Sequence, residues 1–344
     1  MSIPDVNRQW RLAAHPHGMV RTTDFALHEA SVPEPGEGEF LVRVLYLSFD
    51  PAMRTWMSGL DTYVPGIRVG QVMRGMGVGQ VVASRHSRFP VGAFVLGGFG
   101  WQEVAKSDGG GRVRPRVLPP GLPITLPLGV LGVTGLTGYF GMLEVGRPEP
   151  GQMVVVSGAA GATGSIAGQV AKLQVCQVVG IAGGPRKCGW LVEEAGFDAA
   201  IDYKSEDVPA RLRALCPDGI DVFFDNVGGS ILDAVLANLA LRARIVVCGG
   251  ISHYNDVHPE PGPSNYLALV LKRARMEGFI VLDYAERFEE AALQLAQWVM
   301  GGEMHHLEDI QEGFENAPET LLRLFDGRNF GKQLLKLADP PLPG

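Results

Sequence analysis

The first 175 residues contain no cysteine, and the chain's four thiols (Cys176, Cys188, Cys216 and Cys248) form no CxxC pair. That excludes a disulfide framework and implies buried, reduced thiols, as expected of a cytoplasmic protein. Charge is sparse: only 19% of the 344 residues are charged, and the net value is −7. A general nucleic-acid binder is therefore excluded, because the phosphate backbone would be repelled. No G-x-S-x-G elbow is present, which argues against a Ser-His-Asp hydrolase. The N-terminal stretch "MSIPDVNRQWRLAAHPHG" lacks the basic-then-apolar pattern of a secretory leader. His15/His17, His253/His258 and His305/His306 are close in sequence, but none has carboxylate spacing that suggests a closed metal site, so no metal is expected.

Only one uncharged run is long enough to mislead. "ITLPLGVLGVTGLTGYFGML" (124–143) has the length of a membrane span, but it carries glycines at 129, 132, 135, 138 and 141, and Pro127. The better expectation is a buried segment whose small residues let its backbone lie against something flat. No membrane partner is expected.

What is present suits a two-domain α/β protein. Hydrophobic residues make up 46% of the chain, and its length supports two cores. Residues 1–125 read as β-rich, with "EFLVRVLYLSF", "GQVVAS" and "GAFVLGGFGW" separated by turns such as "PEPGEG". From 126 to 315 short apolar strands alternate with helices. "MVVVS", "QVVGIA", "AAIDY", "IDVFFDNVGG", "ARIVVCGG" and "EGFIVLDY" are the expected strands of a doubly wound parallel sheet. Residues 316–344 are expected to return to the first domain.

Between the first of these strands and its helix runs "SGAAGATG", in which Gly158, Gly161 and Gly164 follow GxxGxxG. Small residues there let a pyrophosphate approach the helix N-terminus, where N–H groups and the dipole favour anions. At the end of the next strand, an acid would select NAD by accepting a hydrogen bond from the ribose hydroxyl. This chain has Gly183, Gly184, Pro185, Arg186 and Lys187 instead. Lys187 falls where a 2′-phosphate would sit, with the Gly183 and Gly184 amides beside it and Arg186 a weaker candidate. The pattern favours NADP over NAD; a solvated helix lysine is the alternative.

Several motifs together carry a resemblance. "GVTGLTGYFGMLEVG", "GAAGATGSIAGQVAKL", "GFDAAIDYKSED", "DGIDVFFDNVGG", "CGGISHYN", "EGFENAPETLLRLFDGRNFGK" and "LSFDPAMR" are similar to the zinc-free branch of the medium-chain dehydrogenase/reductase superfamily. That branch holds the prostaglandin reductases, leukotriene dehydrogenases, alkenal double-bond reductases and bacterial curcumin reductases. The resemblance implies a GroES-like domain joined to a Rossmann domain, homodimers, and NADPH-driven reduction of a double bond conjugated to a carbonyl. It further implies that Gly161, Ala162, Thr163 and Gly164 hold the pyrophosphate, Lys187 the 2′-phosphate and Tyr203 the adenosine end. Asn226 would lie along the cofactor. Cys248, Gly249, Ile251, Ser252 and Tyr254, with Phe279, Ile280 and Val281, would line its nicotinamide half, and Asn329 would reach in from the tail. Zinc-dependent members need cysteine and His-Glu ligands that the first domain, with "MRGMGVGQVV", does not have.

This chain departs from its relatives at two positions. Ala52 stands where they carry an aromatic bordering the substrate pocket, with Tyr63 a candidate substitute ring, and Thr134 stands where they carry proline. Without a metal, the charge that develops on an enone's carbonyl oxygen needs a donor, and Tyr254 is the best candidate, with the nicotinamide ribose hydroxyl sharing the role. The expected activity is reduction of α,β-unsaturated aldehydes or ketones by direct hydride transfer to the β-carbon. A quinone reductase on the same scaffold and a non-catalytic NADPH-binding protein are the alternatives.

Overall fold

The structure, a computed structural model, describes residues 3–111, 113–258 and 261–340. The chain divides into two compact units: the residues up to Leu128 together with those from Glu308 on, and Gly129–Leu307. The return to the first unit thus begins before residue 316. The reason is a strand, Glu308–Glu312, that pairs in parallel with Lys332–Lys336.

The first unit is built on Phe40–Ser48, an apolar strand buried along most of its length. It pairs antiparallel with Gly77–Ser84, Val104–Ser107 and Lys332–Lys336. Phe94–Gly97, Arg116–Val117 and Glu308–Glu312 complete a seven-stranded sheet among the described residues. Trp101 is wholly buried at the core, its ring 5.3 Å from Phe25 and 4.9 Å from Phe49 between centroids. Aromatic packing of this kind supplies the burial that a cysteine-poor β-domain needs.

In the second unit, the strands β1 (Met153–Ser157), β2 (Gln177–Ala182), β3 (Ala199–Asp202), β4 (Ile220–Asp225), β5 (Leu239–Val247) and β6 (Arg275–Gly278) form one parallel sheet. Their order is β3-β2-β1-β4-β5-β6, that of two mononucleotide-binding halves. Helices follow the first four strands: α1 (Gly164–Leu173), α2 (Pro185–Glu193), α3 (Val208–Leu215) and α4 (Gly229–Leu236). Local chemistry sets their starts. Pro185 opens α2 with its φ already suited to a helix, and the Asp207 carboxylate caps α3 by accepting from the Ala210 N–H at 3.0 Å.

β6 ends at Gly278, so Phe279–Val281 follow the strand instead of forming it, unlike the expectation from "EGFIVLDY". Its register with β5 runs from Arg244↔Arg275 to Val247↔Gly278, and β5 stops there.

The glycine-rich run forms a short helix, Val133–Phe140, continued by a π-helical turn to Gly146. The flat surface it meets is α1. A Cβ on Gly138 would stand 2.9 Å from both Ala167 N and Thr163 O, and one on Gly141 would stand 2.5 Å from the Phe279 ring. Thr134, in place of proline, donates its hydroxyl to Gly129 O at 3.1 Å and closes the turn before this helix. No helix among the described residues is long and apolar enough to cross a membrane.

Candidate active site

The C-terminal ends of the parallel strands carry the second unit's site residues. After β1 the chain turns through Gly158, at φ +58°, and enters α1 at Gly164. A Cβ on Gly164 would collide with the Gly158 carbonyl oxygen and lie 3.0 Å from Ala159 Cα. Glycine there lets the first turn of α1 press onto the strand end. Gly161, Ala162 and Thr163 bring the helix's opening N–H groups to the sheet edge, a cradle that fits the pyrophosphate of a dinucleotide.

A buried carboxylate ties the next two strand ends to this turn. Asp225, 1% exposed at the end of β4, accepts three bonds at one oxygen: from Ser157 Oγ at 2.7 Å, and from the N–H groups of Val227 and Gly228, both at 3.0 Å. Burial pushes its carboxyl above the ordinary aspartate value, although these donors favour the ionised form. Asn226 is pinned by the same serine: its N–H donates to Ser157 Oγ at 2.9 Å, and its side-chain amide to Ser157 O at 2.7 Å. The Cys248 and Gly249 amides donate to Asp225 O, and Ile251 N to Asn226 O. Ser252 is held by Val227 O, through both its amide and its hydroxyl. The structure therefore brings Asn226, Cys248, Gly249, Ile251 and Ser252 together with the glycine turn.

Tyr254 closes this group. Its phenol oxygen lies over the Gly249–Gly250 backbone and accepts a long bond, 3.4 Å, from the Gly250 N–H. Beside it His253 pairs with Asp256 at 3.0 Å. Farther along the same loop, Pro259 and Glu260 lie outside the described residues. Phe279 follows β6, its ring edge-on to Phe224 at 6.5 Å, with Ile280 and Val281 leading into a 3-10 helix.

At the end of β2 the structure corrects the sequence reading. The Gly184 N–H is committed to Asp202 Oδ1 at 2.7 Å. An acid does therefore stand at this turn, supplied by β3. Its carboxylate also accepts from Lys204 N and Ser205 Oγ. These bonds, the Gly184 amide foremost, hold its pKa below the ordinary value. Bound to the turn in this way, Asp202 stabilises the loop's shape. Lys204, which the sequence reading passed over, flanks Gly183. A Cβ at Gly183 would meet Lys204 Cε and the Tyr203 ring, each at 2.9 Å. Lys187 occupies the first turn of α2. Lys204 and the Tyr203 ring thus flank Gly183, while Lys187 follows in the helix that the glycine pair leads into. "IDYKSED" was the available signal, but only the pairing of β3 with β2 places it here.

In the first unit, Ala52 precedes a single helical turn, Met53–Trp56. Tyr63 is 44% exposed, and its hydroxyl accepts from Trp56 Nε1 at 3.4 Å, while the Arg74 guanidinium lies 5.5 Å from the Trp56 ring centroid. Asn329 donates to Gly331 O at 3.2 Å. The loops carrying Ala52 and Asn329 are tied by a pair the sequence reading missed. Buried Lys332 donates to Asp50 Oδ1 at 2.5 Å and to Phe49 O at 3.1 Å. Both partners sit inside quoted motifs, "GRNFGK" and "LSFDPAMR".

Burial raises all four thiols, Cys188 and Cys216 to about 11 and Cys248 to about 12, so each rests protonated. No three histidine, cysteine or acidic residues converge as a metal cluster among the described residues.

Comparison with known proteins covers nearly all of the chain, 96% against a bacterial relative. Residues 8–114 match the family model "N-terminal domain of oxidoreductase", and residues 162–298 match that of "Zinc-binding dehydrogenase". The chain is 43% identical to an NADPH-dependent curcumin reductase of Escherichia coli (strain K12), over 96% of this chain and 97% of that protein. It is 39% identical to a 2-alkenal reductase (NADP(+)-dependent) of Nicotiana tabacum, over 96% and 98%. The crystal structure of CurA in complex with NADPH from Vibrio vulnificus superimposes with a TM-score of 0.92 at 41% identity, covering 97% of this chain and 100% of that one.

Proposed function

Since this chain belongs to the medium-chain dehydrogenase/reductase superfamily, in its zinc-free branch, we propose that it is an NADPH-dependent reductase of the carbon–carbon double bond of α,β-unsaturated aldehydes and ketones. The observation that carries this reading is the convergence of a glycine cradle, two lysines at the end of β2 and a tyrosine-bearing loop on one edge of the sheet. NADPH is the cofactor. Gly161, Ala162, Thr163 and Gly164 hold its pyrophosphate, Lys187 with Lys204 reads the 2′-phosphate, and Tyr203 packs at the adenosine end. Asn226, fixed by Ser157, lies along it. Cys248, Gly249, Ile251 and Ser252 line the nicotinamide half with Phe279, Ile280 and Val281.

Bound NADPH supplies a hydride for the β-carbon of the enone, which leaves negative charge on the carbonyl oxygen. Tyr254 donates a hydrogen bond to that oxygen, acting on charge that appears only as the reaction proceeds, and a proton from water taken up at the α-carbon completes the saturated product. The Gly250 amide, donating to the phenol oxygen, positions the tyrosine. Ala52 leaves space where relatives carry a ring, and Tyr63 with Trp56 supplies aromatic surface nearby in the chain.

The assay is NADPH oxidation against alkenals, aryl enones, oxo-lipids and quinones, with products identified by mass spectrometry. The saturated aldehyde or ketone, carrying deuterium from labelled NADPH on its β-carbon, is expected. Label on the carbonyl carbon, giving an allylic alcohol, would overturn the reading.

A homodimer in the cytoplasm completes the proposal. Strand β6 is an unpaired sheet edge, and the neighbouring segment exposes Tyr266, Leu267, Val270 and Leu271, the last at 75%. An edge strand beside such an apolar patch suits pairing with a second copy. Light scattering that gives a monomer mass at micromolar concentration would refute it.

A further inference from the structure

The opposite edge of the same sheet, at the N-terminal ends of the strands, carries a second concave site. A pocket of about 370 Å³ is lined by Arg147, Arg242, Arg244, Arg273 and Arg275, with Glu149 and Ala243. Five arginines and one glutamate line it, and the Glu277 carboxylate lies 3.7 Å from Arg275 Nε, in a chain whose net charge is −7. We propose that this pocket binds a small polyphosphate, either free or as the phosphate chain of a nucleotide.

Three of the arginines are anchored by part of their donor set, which preorganises the remainder. Arg147 Nε donates to Glu144 O at 2.7 Å, Arg244 Nε to Gly146 O at 2.7 Å, and Arg275 Nη2 to Val145 O at 2.8 Å. All three carbonyls belong to the π-helical turn that ends the glycine-rich segment. Arg244 Nη2 also donates to Gln152 Oε1, and Arg275 Nε faces Glu277 Oε2 at 3.7 Å. A guanidinium has five N–H groups in a rigid fork, so each anchored arginine still keeps part of its donor set for an oxyanion.

Arg242 and Arg273 are held by backbone alone, Arg273 as the left-handed cap of the short helix Ala268–Lys272, with its N–H donating to Val270 O at 3.1 Å. Neither side chain makes an ion pair or hydrogen bond within the described residues, yet the backbone takes up a disfavoured conformation at each, with φ +64° and +52°. Arg242 sits in a bulge. Between Leu239 and Arg244, β5 advances five residues while β4 advances two, from Ile220 to Val222. A bulge re-aims a side chain, and here the displaced residue lines the basic pocket. Unpaired like charges so placed repel one another, and a multivalent anion relieves that repulsion. The concavity favours a compact ligand over a flat surface, and its volume falls at the lower end of small-molecule sites.

The test is calorimetric titration of the full-length protein, saturated with NADP⁺ so that the cofactor site is filled, at constant ionic strength. The probes are sodium tripolyphosphate and, separately, ATP. Tripolyphosphate should bind at one site per chain. The variant Arg242→Glu should weaken binding at least tenfold while NADPH oxidation and mass in solution stay unchanged. ATP binding with similar affinity would assign a nucleotide's phosphate chain, and failure of ATP alone would assign free polyphosphate. The proposal is overturned if neither probe binds, if the Arg242→Glu variant binds as well as the parent, or if NADP⁺ displaces the probe.

Discussion

Replacing Asp225 by alanine tests how the cofactor edge of the sheet is held. The carboxylate is buried and takes three donors on one oxygen: Ser157 Oγ, Val227 N and Gly228 N. Truncation strands them, and each buried donor left unsatisfied costs roughly 1–3 kcal/mol. Val227 is only partly buried and can recruit water, so the expected loss is about 3–5 kcal/mol at neutral pH. For 344 residues, with an unfolding entropy of about 0.7 kcal/mol/K, that corresponds to a melting midpoint lower by roughly 4–7 °C. Urea unfolding followed by tryptophan fluorescence measures it directly. NADPH affinity should fall at least tenfold as well, because Asn226, Cys248 and Gly249 are all positioned from this residue.

The pH dependence supplies a sharper signature. Burial raises the folded-state pKa of Asp225 above its unfolded value. The native state therefore binds the proton more tightly, and the group's contribution is fully present below about pH 4 and is lost as pH rises through the folded pKa. The stability gap between parent and Asp225→Ala should thus narrow as pH rises above about 4. A gap that widens with pH would mean the three donors outweigh burial, and an alanine variant as stable as the parent would refute the argument altogether.

Three further outcomes are expected. Lys187→Ala and Lys204→Ala should each weaken NADPH and leave NADH nearly unchanged, Lys187→Ala by about 10- to 100-fold through loss of a charge-assisted contact, as read by fluorescence titration. Equal weakening of both cofactors would reduce the lysines to structural roles. Tyr254→Phe should lower turnover roughly tenfold or more with NADPH affinity little altered, and a fully active variant would leave the tyrosine as packing. Activity should survive exhaustive chelation, with no stoichiometric zinc by elemental analysis; zinc-dependent recovery would contradict the zinc-free assignment.

Patterns along the chain determined the alternation of strand and helix, the glycine turn at Gly158–Gly164 and the motifs that identify the superfamily. Each is a local signal: β-branched apolar runs, a proline that opens a helix, small residues where backbone must approach backbone. Tertiary structure decided which of these segments meet. Asp202 and Lys204 reach the Gly183–Gly184 turn because β3 lies beside β2 in one register. Ser157 meets Asp225 across 68 residues, and Lys332 meets Asp50 across 282. The end of β6, the bulge that displaces Arg242 and the five-arginine pocket depend likewise on strand register and loop closure. A residue's own neighbours in sequence do not encode these, because shifting one strand against another changes every contact while leaving the local pattern intact.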